Sequence, residues 1–102
     1  MELGMEGKVA LVTGGSRGIG KGIARGFAQE GVDVAICSRD ADVVKAAAEE
    51  IKAESGRDIF PITADLMKTE DANAMVASAI DHFGKIDILV NNAGAAPGGV
   101  LE

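Results

Sequence analysis

Short apolar runs and amphipathic stretches alternate along this chain. Val9-Ala10-Leu11-Val12 is continuously apolar and ends at Thr13-Gly14, the pattern of a strand buried on both faces. After the loop Gly14 to Gly18, the stretch Ile19 to Glu30 sets Ile23, Ala24, Phe27 and Ala28 at helical spacing, and Gly31 is the stop. Val32 to Cys37 reads as a second strand. Asp40 is placed to cap a second helix with the apolar stripe Val43, Val44, Ala47, Ala48 and Ile51, ended by Ser55-Gly56. Ile59 to Thr63 reads as a third strand, and Pro61 asks that it lie at an edge. Thr69 is placed to cap a third helix, with Glu70 and Asp71 in its first turn. The stripe of that helix is Ala72, Met75, Val76, Ala79, Ile80 and Phe83, and Gly84 ends it. Ile86 to Val90 reads as a fourth buried strand.

The order βαβαβαβ predicts an α/β fold: a parallel sheet with helical, right-handed crossovers. A half-wound nucleotide-binding fold, Rossmann-like and part of a doubly wound parallel sheet, is the natural result. No repeat, linker or low-complexity tract interrupts it, and 102 residues suffice for one domain but not two.

Charge and composition then narrow the function. A net charge of −6 disfavours nucleic acid, which asks for a basic patch, and anionic membrane surfaces. An anionic ligand stays open, because backbone dipoles bind phosphate inside acidic proteins. The single cysteine, Cys37, cannot form an internal disulfide, which fits a reducing cytoplasm. With one histidine, His82, beside it, no zinc site of the usual ligand set can be built. Cys37 reads as a small apolar filler and His82 as a cation near a helix C-terminus. Met1 to Gly7 lacks the basic and apolar regions of a signal peptide. No apolar stretch reaches the ~20 residues of a membrane span.

The candidate chemistry lies in Thr13-Gly14-Gly15-Ser16-Arg17-Gly18-Ile19-Gly20. This loop leaves the first strand and opens the first helix. Gly14 would permit a tight turn, Gly18 a close approach to a pyrophosphate, and Gly20 tight packing of helix on sheet. The helix N-terminus would offer N–H groups to phosphate. The spacing is G-x-x-x-G-x-G, and no G-K-[ST] follows, which argues against an ATPase or GTPase. Gly22 and Gly26 continue Gly18 at four-residue spacing and read as a stripe for close packing. A glycine loop alone also fits a plain strand-to-helix turn; its place in a βαβ unit favours the ligand.

Three ordered motifs make the chain resemble the short-chain dehydrogenase/reductase family, in its 3-oxoacyl-reductase-like branch. They are Thr13 to Gly20, then Ala64-Asp65-Leu66 at the end of the third strand, then Asp87-Ile88-Leu89-Val90-Asn91-Asn92-Ala93-Gly94 at the end of the fourth. The resemblance covers essentially the whole chain, read as the N-terminal dinucleotide-binding portion of that fold over residues 1–102, and implies the strand order 3-2-1-4. It implies that Gly14, Ser16, Arg17, Gly18, Ile19 and Gly20 line the phosphates and nearby ribose. Asp65 would accept from the adenine amino group, with Leu66 beside the ring. Asn91, Ala93 and Gly94 would contact the ribose side and steady the sheet. Ser38-Arg39 follows the second strand, where an acid would hold the 2′-hydroxyl of NAD and an arginine the 2′-phosphate of NADP. With Arg17 as a second charge, this favours NADP(H) over NAD(H). Asp40 is the counter-argument; it reads as a helix cap.

The family's catalytic serine and Tyr-x-x-x-Lys pair lie beyond the Asn-Asn-Ala-Gly motif, and this chain has no tyrosine. The expectation is a segment of an NADP-dependent carbonyl reductase or alcohol dehydrogenase that is inactive alone, with no catalytic residue of its own. The rival is a stand-alone nucleotide-binding or interaction module. An unrelated α/β domain, such as a methyltransferase, would not be expected to carry Asn91-Asn92-Ala93-Gly94. In the implied strand order, the fourth strand is an unprotected edge and the third helix covers its sheet face alone. Parts of Val9–Val12 and Ile86–Val90 should then be exposed, and the chain should self-associate.

Overall fold

The computed structural model describes residues 4–14 and 18–92. Strands β1 (Val9–Thr13), β2 (Asp33–Ser38), β3 (Ile59–Thr63) and β4 (Ile88–Asn91) alternate with helices α1 (Gly18–Gln29), α2 (Ala41–Ser55) and α3 (Thr69–Phe83). The strands pair in parallel in the order β3-β2-β1-β4. This is the Rossmann-like parallel sheet expected from the alternation, in the order the resemblance implies, with Pro61 on an edge strand where its missing N–H breaks no ladder.

The two faces of the sheet are covered differently. Ala24 and Ala28 of α1 and Val44, Ala47, Ala48 and Ile51 of α2 pack on Ala10, Val12, Val34, Ile36 and Ile59. Small alanines on α1 let that helix lie close to the strands. Across the α1–α2 seam, Lys21 and Arg25 pair with Glu50 and Glu54. On the other face α3 stands alone among the described residues. Its Met75 and Ala79 meet Leu11, Ala35, Cys37 and Ile62, with Phe83 and Ile86 packed around them.

Several sequence expectations are corrected here. Leu11 is fully buried, and so is the rest of β1. The expected exposure of Val9–Val12 fails because Leu11 joins the α3 cluster. The exposure does appear on β4, whose burial alternates and whose Leu89 is 60% accessible. The α3 stripe is only half used: Met75 and Ala79 are buried, while Val76 and Ile80 are exposed. Thr69 is not the cap of α3. Lys68 N–H donates to the Asp65 carbonyl and Ala72 N–H to the Lys68 carbonyl, so the helix opens one residue earlier, with no side-chain cap bond. Ile86 lies outside β4, as a rim residue of the second cluster. Gly22 and Gly26 do not serve close packing: both are exposed, and a Cβ at either would meet nothing within 4 Å.

Asp40 caps α2 as expected, its Oδ1 accepting from Val43 N–H at 3.1 Å. His82 sits in the last turn of α3, stacked on Phe60 with ring centroids 4.0 Å apart and Nε2 2.9 Å from Asp58 Oδ2. This fixes the end of α3 to the start of β3.

Candidate functional site

The candidate residues that the structure describes lie at the carboxyl ends of the strands, where open α/β sheets bind ligands. Gly14 follows β1 with φ +69°, the left-handed turn that a side chain would strain, and its N–H donates to the Cys37 carbonyl at 2.9 Å. Gly18 is the first residue of α1. Ile19, in the first turn, is 76% accessible despite its apolar side chain. Gly20 is buried, and a Cβ there would strike the Gly14 carbonyl and come within 2.8 Å of Asn92 Nδ2. The expected role of Gly20 thus holds in a modified form: its bare Cα lets α1 close on the β1 exit turn and on the β4 exit. Ser16, Arg17, Ala93 and Gly94 lie outside the described residues.

Thr13 locks the same corner. Its hydroxyl donates to Asn91 Oδ1 at 3.0 Å and accepts from Asn92 N–H at 2.8 Å. Asn91 therefore bonds across the sheet to β1. At the opposite end of the same strand pair, Asp87 Oδ2 accepts from Val9 N–H at 2.9 Å and from Lys85 Nζ at 3.0 Å. The Val9 bond, followed by Lys85, holds the Asp87 carboxyl below the usual aspartate range.

Beside this corner, β2 ends in Ser38, whose Oγ accepts from Asp40 N–H at 3.2 Å. Arg39 is exposed and forms no ion pair among the described residues. The β3 exit is tied to the β2 exit, because Ala64 N–H donates to the Ser38 carbonyl at 2.9 Å. Asp65 and Leu66 follow, both half-buried. Cys37, next to Ser38, is buried, and desolvation, with a smaller push from Asp71, raises its thiol to about 11. It is a core group, not a nucleophile. Among the described residues no group of three or more His, Cys, Asp or Glu gathers to hold a metal, and no helix is long and apolar enough to cross a membrane.

The residues that sequence reasoning passed over are Thr13 as a cross-strand lock, Asn92 beside Gly20, and Asp71 and Asp87 as backbone acceptors. Thr13 and Asn92 lay within quoted motifs, but only the fold shows that they meet.

A parallel sheet ordered 3-2-1-4, with a glycine turn after its first strand and an Asn-Asn corner after its fourth, defines a class. The family model described as short chain dehydrogenase matches residues 8–102, and the chain belongs to that family. It is 46% identical over 90 residues to an uncharacterized oxidoreductase of Mycobacterium tuberculosis, covering 88% of this chain and 34% of that protein. It is 43% identical over 95 residues to a 3-oxoacyl-acyl-carrier-protein reductase of Staphylococcus epidermidis, covering 92% of this chain and 38% of that one. L-sorbose reductase of Gluconobacter frateurii, solved in complex with NADPH and L-sorbose, superposes with a TM-score of 0.90 at 41% identity, over 95% of this chain and 37% of that one. The chain thus spans little more than a third of the length of these relatives.

Proposed function

We propose that residues 1–102 form the N-terminal NADP(H)-binding portion of a short-chain dehydrogenase whose full-length form works on a carbonyl or alcohol substrate. The bound dinucleotide would supply or take up the hydride. The observation that carries the cofactor choice is the division of roles after β2. Asp40 gives a carboxylate oxygen to the α2 N-terminus, Ser38 stands where an acid would hold a ribose 2′-hydroxyl, and Arg39 is exposed without an ion pair among the described residues. A guanidinium fork at this place suits a 2′-phosphate. The NADPH in the sorbose reductase complex supports the same reading.

In this reading Gly14, Ser16, Arg17, Gly18, Ile19 and Gly20 line the phosphates and nearby ribose, with exposed Ile19 finding its apolar cover there. Ser38 and Arg39 take the 2′-phosphate. Asp65 accepts from the adenine amino group beside Leu66, and Asn91, Ala93 and Gly94 border the ribose. Calorimetry tests this. NADPH should bind more tightly than NADH by about ten- to a hundredfold, the ~1.5–3 kcal/mol of a charge-assisted contact. Arg39→Ala should erase most of that difference. Equal affinities in the wild type, or an NADH preference, would overturn the cofactor choice.

Two further parts of the reading concern the 102 residues by themselves. They hold no tyrosine, so the family's proton donor is not among them, and they should not reduce a ketone or 3-oxoacyl thioester with NADPH. Turnover by the homogeneous chain would refute this. They should also self-associate, because among the described residues β4 is an edge strand with Leu89 exposed and α3 presents Val76 and Ile80 to water. A single monomeric species in sedimentation at micromolar concentration would refute that.

A further inference from the structure

Asp65 is held on three sides. Its N–H donates to Asp71 Oδ2 at 2.8 Å, its Oδ1 accepts from Met67 N–H at 3.0 Å, and its carbonyl accepts from Lys68 N–H at 2.9 Å. The second carboxylate oxygen, Oδ2, meets no hydrogen-bond donor among the described residues. The two bonds made by Asp65's own oxygens are local turn contacts. The third comes from six residues ahead, in the first turn of α3. An acid at this place in a helix commonly reaches back to the N–H of the cap residue. Here the cap is Lys68, and Asp71 reaches past it to the peptide of Asp65. That bond ties the β3 exit, which is itself bonded to the β2 exit carrying Arg39, to a regular helix.

We infer that Asp71 is a positioning residue for the nucleotide: by gripping the Asp65 peptide it aims the remaining Asp65 oxygen at the amino group of the purine. This rests on the dinucleotide reading above. A carboxylate accepts and does not donate, so a correctly aimed Asp65 favours a base with an amino group over one with a carbonyl in its place. A purely structural role for Asp71 would weaken all dinucleotides alike.

The probes are NADPH and its hypoxanthine analogue, in which a carbonyl replaces the adenine amino group, both titrated calorimetrically into the full chain. The wild type should prefer NADPH by about tenfold, one charge-assisted hydrogen bond. Asp71→Ala should lose that preference by weakening NADPH while leaving the analogue nearly unchanged. Asp71→Asn, which keeps an acceptor oxygen, should restore it, and Asp71→Ser replaces the alanine variant if circular dichroism shows the latter unfolded. A wild-type preference that survives in Asp71→Ala or Asp71→Ser, equal weakening of both ligands, or failure of the asparagine rescue would overturn the positioning role while leaving the dinucleotide reading intact. A wild type that binds neither ligand would overturn the dinucleotide reading and this inference together.

Discussion

The Thr13 hydroxyl accepts the backbone N–H of Asn92 at 2.8 Å, across the seam between the ends of β1 and β4. It simultaneously donates to Asn91 Oδ1 at 3.0 Å, so one side chain satisfies a donor and an acceptor from the neighbouring strand. Thr13 is the single polar residue of the described core, 2% accessible. Thr13→Val preserves its shape and removes both bonds. It should destabilise the fold by about 1–3 kcal/mol, the cost of leaving such groups unmatched. Thr13→Ser should cost clearly less. Urea midpoints measured side by side decide this; equal stability of the valine variant and the wild type would show that the corner is held by something else.

The glycines of α1 divide into two kinds with opposite predicted signs. At Gly20 a Cβ would collide with the Gly14 carbonyl, a backbone atom that cannot swing aside. Gly20→Ala should therefore destabilise by roughly 1–3 kcal/mol, as overpacking does, and weaken NADPH binding through the displaced turn. Gly22 and Gly26 face open space within the helix. Gly22→Ala and Gly26→Ala should each stabilise by about 0.5–1 kcal/mol through helix propensity. Thermal melts of the three variants settle the assignment, and a loss of stability at Gly22 or Gly26 would restore the close-packing role read from their spacing.

That contrast shows which features the sequence disclosed. Alternation of periods revealed the order of strands and helices, because apolar residues must be buried and the period records the geometry that buries them. Pro61 disclosed an edge, and Asp40 a cap, because each carries a local backbone constraint. The glycine spacing did not say which glycine was crowded. Crowding at Gly20 comes first from the Gly14 carbonyl, across a turn whose path the spacing does not specify, and then from Asn92, 72 positions away in the chain. Thr69 misled for a similar reason: a good capping residue was overridden when the Asp65 to Lys68 turn began the helix early. The continuous apolar run of β1 reads as buried on both faces, and Leu11 bears that out; what misled was the expectation that α3 alone would leave part of that run uncovered. The candidate residues were named in motifs, but the bonds of Thr13, Asp71 and Asp87 are long-range or cross-loop contacts that no local pattern encodes.

Cys37 supplies an internal reporter of folding. Burial pushes its thiol up to about 11, and Asp71 adds to the push. Near neutral pH the native thiol is therefore almost entirely protonated, and the thiolate is the reactive form. An aromatic disulfide reagent at pH 8 should label Cys37 slowly in buffer and quickly in 6 M urea. Labelling should rise along the urea titration together with the loss of circular dichroism. Rapid stoichiometric labelling of the native chain would mean that the β2 exit is open to solvent.

Asp87 gives the fold a defined acid sensitivity. Its carboxyl is held below the ordinary aspartate value, first by the Val9 N–H and then by Lys85. A group whose folded value is depressed stabilises the fold above its unfolded value, about 3.9 for aspartate, and loses that contribution as pH falls through the folded one. The Asp87 contribution should be complete at pH 7 and fade below about pH 4. Because Asp87 is a surface group, its ionic contact with Lys85 is screened by water and salt and should contribute less than the bond to Val9. Asp87→Ala removes both contacts and leaves Val9 N–H, at the mouth of a buried strand, without its side-chain acceptor. Asp87→Asn keeps an oxygen for Val9 and loses the charge. The alanine variant should be less stable than the asparagine variant at pH 7, and the gap between wild type and asparagine should narrow as pH drops toward 3. Urea midpoints at pH 7, 5 and 3 provide the comparison. A gap that widens toward low pH would reverse the sign and show that the Asp87 carboxylate is not favoured in the folded chain.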